Sequence, residues 1–163
     1  MDPENFEEVK SNFDSSGELR PAKIAIVGRP NVGKSTIFNR LAGKKLAIVN
    51  DTPGVTRDIR EVRSKLRGHS MVLMDTAGFE NAKGHKIEAK MRAQTELAVL
   101  DADIVLFVYD AREGVTPLDR NFAQYVRRSN KTTFLVANKC ESSAADAGIT
   151  DGYSLGMGDP IEV

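Results

Sequence analysis

The apolar positions of this chain fall into short unbroken runs separated by stripes of helical period. Ile24-Ala25-Ile26-Val27, Met71-Val72-Leu73-Met74, Ile104-Val105-Leu106-Phe107-Val108-Tyr109 and Thr133-Phe134-Leu135-Val136-Ala137 show no polar alternation, which suits strands covered on both faces, as in a parallel sheet. From Arg60 to Arg67 the pattern changes. Val62, Ser64 and Leu66 share one face while Arg63, Lys65 and Arg67 share the other, as in a strand with one face in water. Arg67-Gly68-His69 then turns the chain, so this strand and the Met71 run are expected to form an antiparallel hairpin at the sheet edge. Helical spacing links Ile37 to Leu41 and Phe38 to Ala42, with Gly43 as the stop. It returns in Ile87, Met91, Thr95 and Ala98, which step toward Ala102, and in Leu118, Phe122, Tyr125 and Val126 after Pro117. Lys44 to Thr56, with its Asn50-Asp51-Thr52-Pro53-Gly54 turn, and Phe79 to Lys86 fit neither period and read as mobile loops. Ser142 to Gly158 is rich in Ser, Ala and Gly, and predicts little beyond a short helix ending near Tyr153-Ser154-Leu155. Strands alternating with helices predict an α/β fold of three layers, a mostly parallel sheet with one antiparallel edge hairpin, and ligands at the carboxyl ends of the strands.

The chemistry starts where the first buried strand ends. Gly28-Arg29-Pro30-Asn31-Val32-Gly33-Lys34-Ser35, followed by Thr36, fits G-x-x-x-x-G-K-[ST] between a strand and a helix, the setting that this phosphate loop requires. Gly28 and Gly33 let backbone N-H groups converge on a polyphosphate, and the helix opening near Lys34 adds the positive end of its dipole. Lys34 is expected on the β- and γ-phosphates and Ser35 on Mg²⁺. Asp75 and Gly78, in Asp-Thr-Ala-Gly, also follow a strand and so share the loop's edge of the sheet. Asp75 suits a water-mediated hold on Mg²⁺ and Gly78 an N-H to the γ-phosphate, although such a string equally serves only to turn a chain. Thr56 could bring its hydroxyl to Mg²⁺ from the mobile loop. Asn138-Lys139-Cys140-Glu141 ends the last long strand. A carboxylate at Glu141 can accept from the N1-H and the N2 amino group of guanine, a pair that adenine does not offer, and leaving it unmatched discriminates between the bases.

Taken in order, these strings, with Asp-Thr-Pro-Gly-Val-Thr-Arg-Asp at 51 to 58, resemble the translation-factor-like GTPases of the TrmE, Era and EngA group, and most of all the first GTPase domain of the bacterial Der (EngA) family. Ala-Asp-Ile-Val-Leu-Phe-Val-Tyr-Asp (102 to 110), Gly-Val-Thr-Pro-Leu-Asp (114 to 119) and Tyr-Ser-Leu-Gly-Met-Gly (153 to 158) support this, so the resemblance covers residues 22 to 163. It implies a P-loop fold like that of small G proteins. It also implies GTP hydrolysis to GDP and phosphate as a conformational switch in assembly of the large ribosomal subunit, within a longer protein of two GTPase domains and a KH-like domain. Lys34, Thr56, Gly78 and Asn31 then carry catalysis. Ser35, Thr56 and Asp75 hold Mg²⁺, and Asn31 helps to hold K⁺ against the phosphates, as in potassium-dependent relatives. Residues 28 to 36 with Asp75, Gly78, Asn138, Lys139 and Glu141 bind the nucleotide. Ribosomal RNA or a ribosomal subunit is the implied partner of the whole protein. Three departures count. Glu141 stands where Asp is commoner, Phe79 follows Gly78 where Ras-like enzymes place a water-orienting glutamine, and the Ser-Ala loop expected after Pro160-Ile161-Glu162-Val163, with its closing helix, is absent from the sequence. The missing glutamine keeps open a second reading, a nucleotide-binding module with negligible hydrolysis.

Composition narrows the setting. Lys and Arg total 23, as do Asp and Glu, so no global field favours nucleic acid or an anionic membrane, and such a partner must be met locally. One cysteine, Cys140, excludes an intramolecular disulfide and reads as a spacer in the base loop. No apolar run is long enough for a membrane span, which makes the cytoplasm the expected location and a monomer the expected state. Residues 1–21, with Glu4, Glu7, Glu8, Asp14 and Glu18 among Ser and Gly, read as a flexible acidic leader to a GTPase domain over 22–163. His85 reads as a solvated side chain. The Arg63, Lys65, Arg67 stripe reads as protection of an edge strand rather than an RNA contact.

Overall fold

The computed structural model describes residues 17–43, 59–76 and 89–163 in full, with the backbone of 47–48 and 85–88. Among the described residues thirteen elements follow one another, and the six helical ones lie between strands. Strand β1 (Ala22–Val27) leads through the glycine loop into helix α1 (Lys34–Ala42), then β2 (Ala47–Ile48), β3 (Arg60–Leu66) and β4 (His69–Asp75). Helix α2 (His85–Asp101), β5 (Ile104–Asp110), α3 (Pro117–Arg128) and β6 (Thr132–Asn138) complete the alternation. A 3-10 turn (Ser143–Ala145), helix α4 (Asp146–Gly152), a second 3-10 turn (Tyr153–Leu155) and β7 (Ile161–Glu162) close the chain. The described strands form one sheet of order β2-β3-β4-β1-β5-β6-β7. Pairing is parallel from β4 through β1, β5 and β6 to β7, and antiparallel among β2, β3 and β4.

The central strands are buried on both faces, as their unbroken apolar runs require. Ile26 packs with Val32, Phe38, Val62, Leu73, Val108 and Val136 on the α1 side. Ala25 and Val27 face the opposite core with Phe107, Tyr109, Ala98, Val99, Phe122 and Val126 beneath α2 and α3. Alternate residues of one strand thus supply two cores. Helix α1 buries Lys34, Phe38 and Ala42, four residues apart, which is one stripe of a helix. Helix α3 starts at a capping box: Thr116 accepts from the Asp119 N-H while the Asp119 side chain accepts from the Thr116 N-H, and Pro117 takes the first turn, where its missing donor costs nothing. The β3–β4 turn is Arg67-Gly68, with φ 48° and 87°. Two successive left-handed residues give the hairpin turn whose twist matches its strands.

Three expectations change. The hairpin is not the edge, because β2 pairs outside β3, Ala47 opposite Arg63. Two residues are too short to show a period, so they were invisible inside the Lys44 to Thr56 loop. Helix α2 begins at His85, inside the segment read as irregular. Most of Ser142 to Gly158 is helical, and its glycines are packing residues. A Cβ on Gly148 would lie 1.8 Å from the Ala111 carbonyl oxygen, so the missing side chain is what lets α4 approach β5. Just ahead of β1, Arg20 donates to both oxygens of Asp103 at 3.1 and 2.7 Å, and the Lys23 N-H adds a bond at 2.8 Å.

Tyr109 fastens α4 to the sheet. It is fully buried, its hydroxyl donates to the Gly148 carbonyl at 3.1 Å, and burial pushes its pKa up to about 12, helped by the charges of Cys140, Asp151 and Glu162. An unfolded tyrosine loses its proton near 10, so above that pH the unfolded chain is favoured until the folded group ionises. We expect Tyr109→Phe to cost about 1 kcal/mol at pH 8, the net worth of one hydrogen bond. Between pH 10 and about 12 the unmutated protein should lose about 2 to 3 kcal/mol that the phenylalanine variant keeps. Parallel denaturant titrations of the two proteins cancel the lysine contribution, and parallel stability curves above pH 10 would contradict the assignment.

Candidate functional site

The phosphate loop leaves the C-terminal end of β1 with its backbone fastened from outside. Three of its carbonyls are occupied by side-chain donors. Lys34 Nζ donates to the Arg29 oxygen at 2.7 Å, Lys139 Nζ to the Asn31 oxygen at 2.9 Å, and Asn138 Nδ2 to the Val32 oxygen at 2.8 Å. The Asn31 and Val32 oxygens belong to the peptide units that carry the Val32 and Gly33 N-H groups, and in a trans peptide these point opposite to the held oxygens, as an anion-binding concavity requires. The Arg29 carbonyl precedes Pro30, so its unit carries no N-H. Gly33 caps α1 in the left-handed region at φ 95°. A Cβ there would meet Asn138 Nδ2 at 2.1 Å, so the second motif glycine is required by both backbone and neighbour. Asn31 is also left-handed at φ 63°, a conformation asparagine tolerates better than most residues. Lys34 is almost wholly buried, Ser35 and Thr36 follow in the first turn of α1, and Ser35 is half-buried.

The neighbouring strand ends complete the edge. Asp75 stands opposite Ile26 in the β1–β4 register and is buried. Thr76 next to it donates to the Ile26 carbonyl at 3.1 Å, which ties the end of β4 to the strand that carries the loop. On the other side Asp110 and Asn138 are in register at the ends of β5 and β6. Asp110 accepts from Lys139 at 2.5 Å and from the Arg112 and Glu113 N-H groups at 3.0 and 3.4 Å. Burial alone would raise the Asp110 carboxyl. The Lys139 hydrogen bond, the Arg112 N-H, the Lys139 charge and the Glu113 N-H outweigh it and hold the group below the usual carboxylate range. Lys139, itself left-handed at φ 67°, therefore joins the end of β6, the end of β5 and the phosphate loop. Glu141 is exposed beyond it. The Cys140 thiol is pushed up by burial and by the Glu162, Glu141 and Asp110 charges against an opposing Val163 hydrogen bond, so it stays protonated and lacks the thiolate that reactive cysteines need.

Gly28 to Thr36, Asp75, Asn138, Lys139 and Glu141 therefore meet on one edge of the sheet. Thr56, Gly78 and Phe79 lie outside the described residues, as does the side chain of His85. The Arg29 guanidinium turns away from the cradle to Asp119 and Glu113. Sequence reading missed those two carboxylates and Asp110. Asp110 and Asp119 end strings that support the resemblance, but only the spacing of Thr116 and Asp119 carries a local physical signal, and it points to a helix start rather than to a site. Among the described residues no cluster of three His, Cys, Asp or Glu side chains could hold a metal. A hydroxyl at Ser35 beside a buried carboxylate at Asp75 is nevertheless a set of hard oxygen donors of the kind that Mg²⁺ takes, since that ion keeps most of its waters and needs few protein ligands. No helix among the described residues is long and apolar enough to cross a membrane.

Residues 23–139 match the family model described as 50S ribosome-binding GTPase. The chain is 55% identical over 141 residues to GTPase Der of Hyphomonas neptunium, covering 86% of this chain and 28% of that protein. It is 57% identical over 139 residues to GTPase Der of Parvibaculum lavamentivorans, covering 85% and 29%. The chain thus spans less than a third of the length of these relatives. Among solved structures, Aquifex aeolicus Era bound to GDP and aluminium fluoride superposes with a TM-score of 0.64 at 26% identity, over 89% of this chain and 51% of that one. With a family model matching residues 23–139 and a phosphate loop fastened to the end of β6 at two carbonyls, the chain belongs to the family of 50S ribosome-binding GTPases.

Proposed function

We propose that this chain binds GTP and hydrolyses it to GDP and phosphate, as the first GTPase domain of a Der-type protein that works on the large ribosomal subunit in the cytoplasm. The observation that carries this reading is the fastening of the phosphate loop by Asn138 and Lys139, because a guanine-reading loop bonded to the cradle fixes the base at a set distance from the phosphates. Lys34 leaves the Arg29 carbonyl for the β- and γ-phosphates, and the N-H groups of residues 31 to 35 take up the remaining negative charge. Such donors, already oriented, stabilise the transition state without reorganising. Asn138 and Lys139 hold the base side while Glu141 accepts from the guanine N1-H and N2. Ser35 and Asp75 are the residues that would hold Mg²⁺, with Thr56. When bound, that ion neutralises charge on the phosphate oxygens. Gly78 completes the γ-phosphate side. The ribosomal partner rests on the family description, and it belongs to the whole protein.

Two measurements test this. Glu141→Ala should weaken GDP binding by about 2 to 4 kcal/mol, the worth of paired hydrogen bonds to a charged group, or on the order of 30- to 1000-fold. Equal affinity of the unmutated chain for ATP and GTP would overturn guanine selectivity. The second measurement concerns catalysis. Asn31 sits exposed at the crest of the loop, where its amide oxygen suits K⁺, so single-turnover hydrolysis should be faster in K⁺ than in Na⁺. That difference should vanish in Asn31→Ala and also in Asn31→Gly, which relieves the left-handed backbone. Persistence of the K⁺ preference in both variants assigns it elsewhere, and no phosphate release in either salt over many hours would sink the hydrolase reading.

A further inference from the structure

The Arg29 side chain belongs to the phosphate loop by sequence but not by contact. Its Nε donates to Asp119 Oδ2 at 3.2 Å, and its Nη2 is paired with Glu113. Asp119 is fully buried at the start of α3. A single oxygen of its carboxylate, Oδ2, also accepts from the Thr116 N-H at 2.9 Å and the Thr116 hydroxyl at 2.7 Å, while Oδ1 is buried with no hydrogen-bond partner. A carboxylate so enclosed needs a counter-charge, and withdrawing one from a buried pair is far costlier than the pair is favourable. Arg29 supplies that charge. Its own side chain is only 13% exposed, so it is not available to swing onto a phosphate without leaving Asp119 buried and uncompensated. The Arg29 main chain, meanwhile, offers the carbonyl that holds Lys34. The same β5–α3 segment reaches the loop a second time, since Asp110 holds Lys139 and Lys139 holds the Asn31 carbonyl.

We propose that Arg29 is a positioning residue. Its planar fork, spanning buried Asp119 and outer Glu113, clamps the entry of the phosphate loop to the N-terminus of α3, and so sets the direction of the amides that receive the phosphates. The proposal rests on the nucleotide-binding reading above for its consequence, but not for its structural content. A lysine at 29 keeps the charge beside Asp119 and loses the fork, because an ammonium is a point donor that does not span two carboxylates in a fixed plane.

The test uses the whole 163-residue chain and two readouts: backbone amide exchange at residues 31–35 without nucleotide, and GDP titration. Arg29→Gln should speed exchange at these amides about tenfold and raise the GDP dissociation constant by a similar factor. Arg29→Lys should keep the melting temperature but recover only part of both, within about threefold of the unmutated chain. Glu113→Gln, on the exposed side of the clamp, should move both readouts about twofold, and it serves if Arg29→Gln does not fold. Val126→Ala is the control, because it opens a cavity under α3, far from the carboxylates, and should lower the melting temperature without changing loop exchange. Unchanged exchange in Arg29→Gln, or in Arg29→Lys and Glu113→Gln together if Arg29→Gln does not fold, would overturn the proposal. Equal acceleration by Val126→Ala would overturn it too, by showing that loop exchange follows global stability. Failure of the unmutated chain to bind GDP would overturn the function proposed above, while exchange still decides the clamp.

Discussion

A loop that turns its N-H groups toward an anion must turn its carbonyls away from it, and those carbonyls then need donors of their own. Much of this site follows from that constraint. The Arg29, Asn31 and Val32 oxygens each receive a side-chain donor, and the three donors come from both ends of the recognition apparatus: Lys34 within the loop, Asn138 and Lys139 from the end of β6. The residues that read as base-binding are therefore also the scaffold of the phosphate site. Their position depends on sheet order. Strand β6 is separated from β1 only by β5, so side chains leaving its end reach across one strand to the loop.

The parts legible in the sequence were those in which a local pattern states a physical requirement. Unbroken apolar runs gave β1, β4, β5 and β6 because a strand buried on both faces has no polar alternation to show. The alternating Arg63, Ser64, Lys65 and Leu66 gave a half-solvated strand. The glycine-bounded loop was legible because Gly33 answers a clash as well as a dihedral. What escaped was either too short or too distant. Strand β2 has two residues and no measurable period. Helix α4 has small residues because it lies against backbone, and the same composition in isolation means a loop. The Arg29–Asp119 pair joins positions 90 residues apart, and no spacing rule connects them. Only the fold, by placing the start of α3 beside the exit of β1, makes that arginine a partner of that aspartate.

Charge in this region is shared rather than paired off. Lys139 serves Asp110 and a backbone oxygen, and Asp119 serves both a helix cap and a guanidinium. Asp110 fixes two N-H groups of the segment that ends in the Asp119 cap. The β5–α3 segment therefore meets the loop at residue 29 by one ion pair and at residue 31 by a relay. Each contact by itself would be a modest, screened interaction at a surface. Enclosed by the two cores beneath them they are less screened, and the partners are held in place by strands in fixed register.

A switch that reports the presence of one phosphate group needs a part that does not move, against which another part can. For the proposed GTPase, the fastened part extends beyond the phosphate loop. It includes the start of α3 through Arg29, the ends of β5 and β6 through Lys139 and Asn138, and the end of β4 through the Thr76 bond to Ile26. Differential contact with two states is the only means by which a ligand shifts an equilibrium. A cradle fastened on this many sides cannot itself supply two states of similar energy. On the proposed function, the free energy of the γ-phosphate would be expressed by chain segments that reach the cradle without belonging to its fastening, and the fastening of the cradle is what would make their response depend on that phosphate.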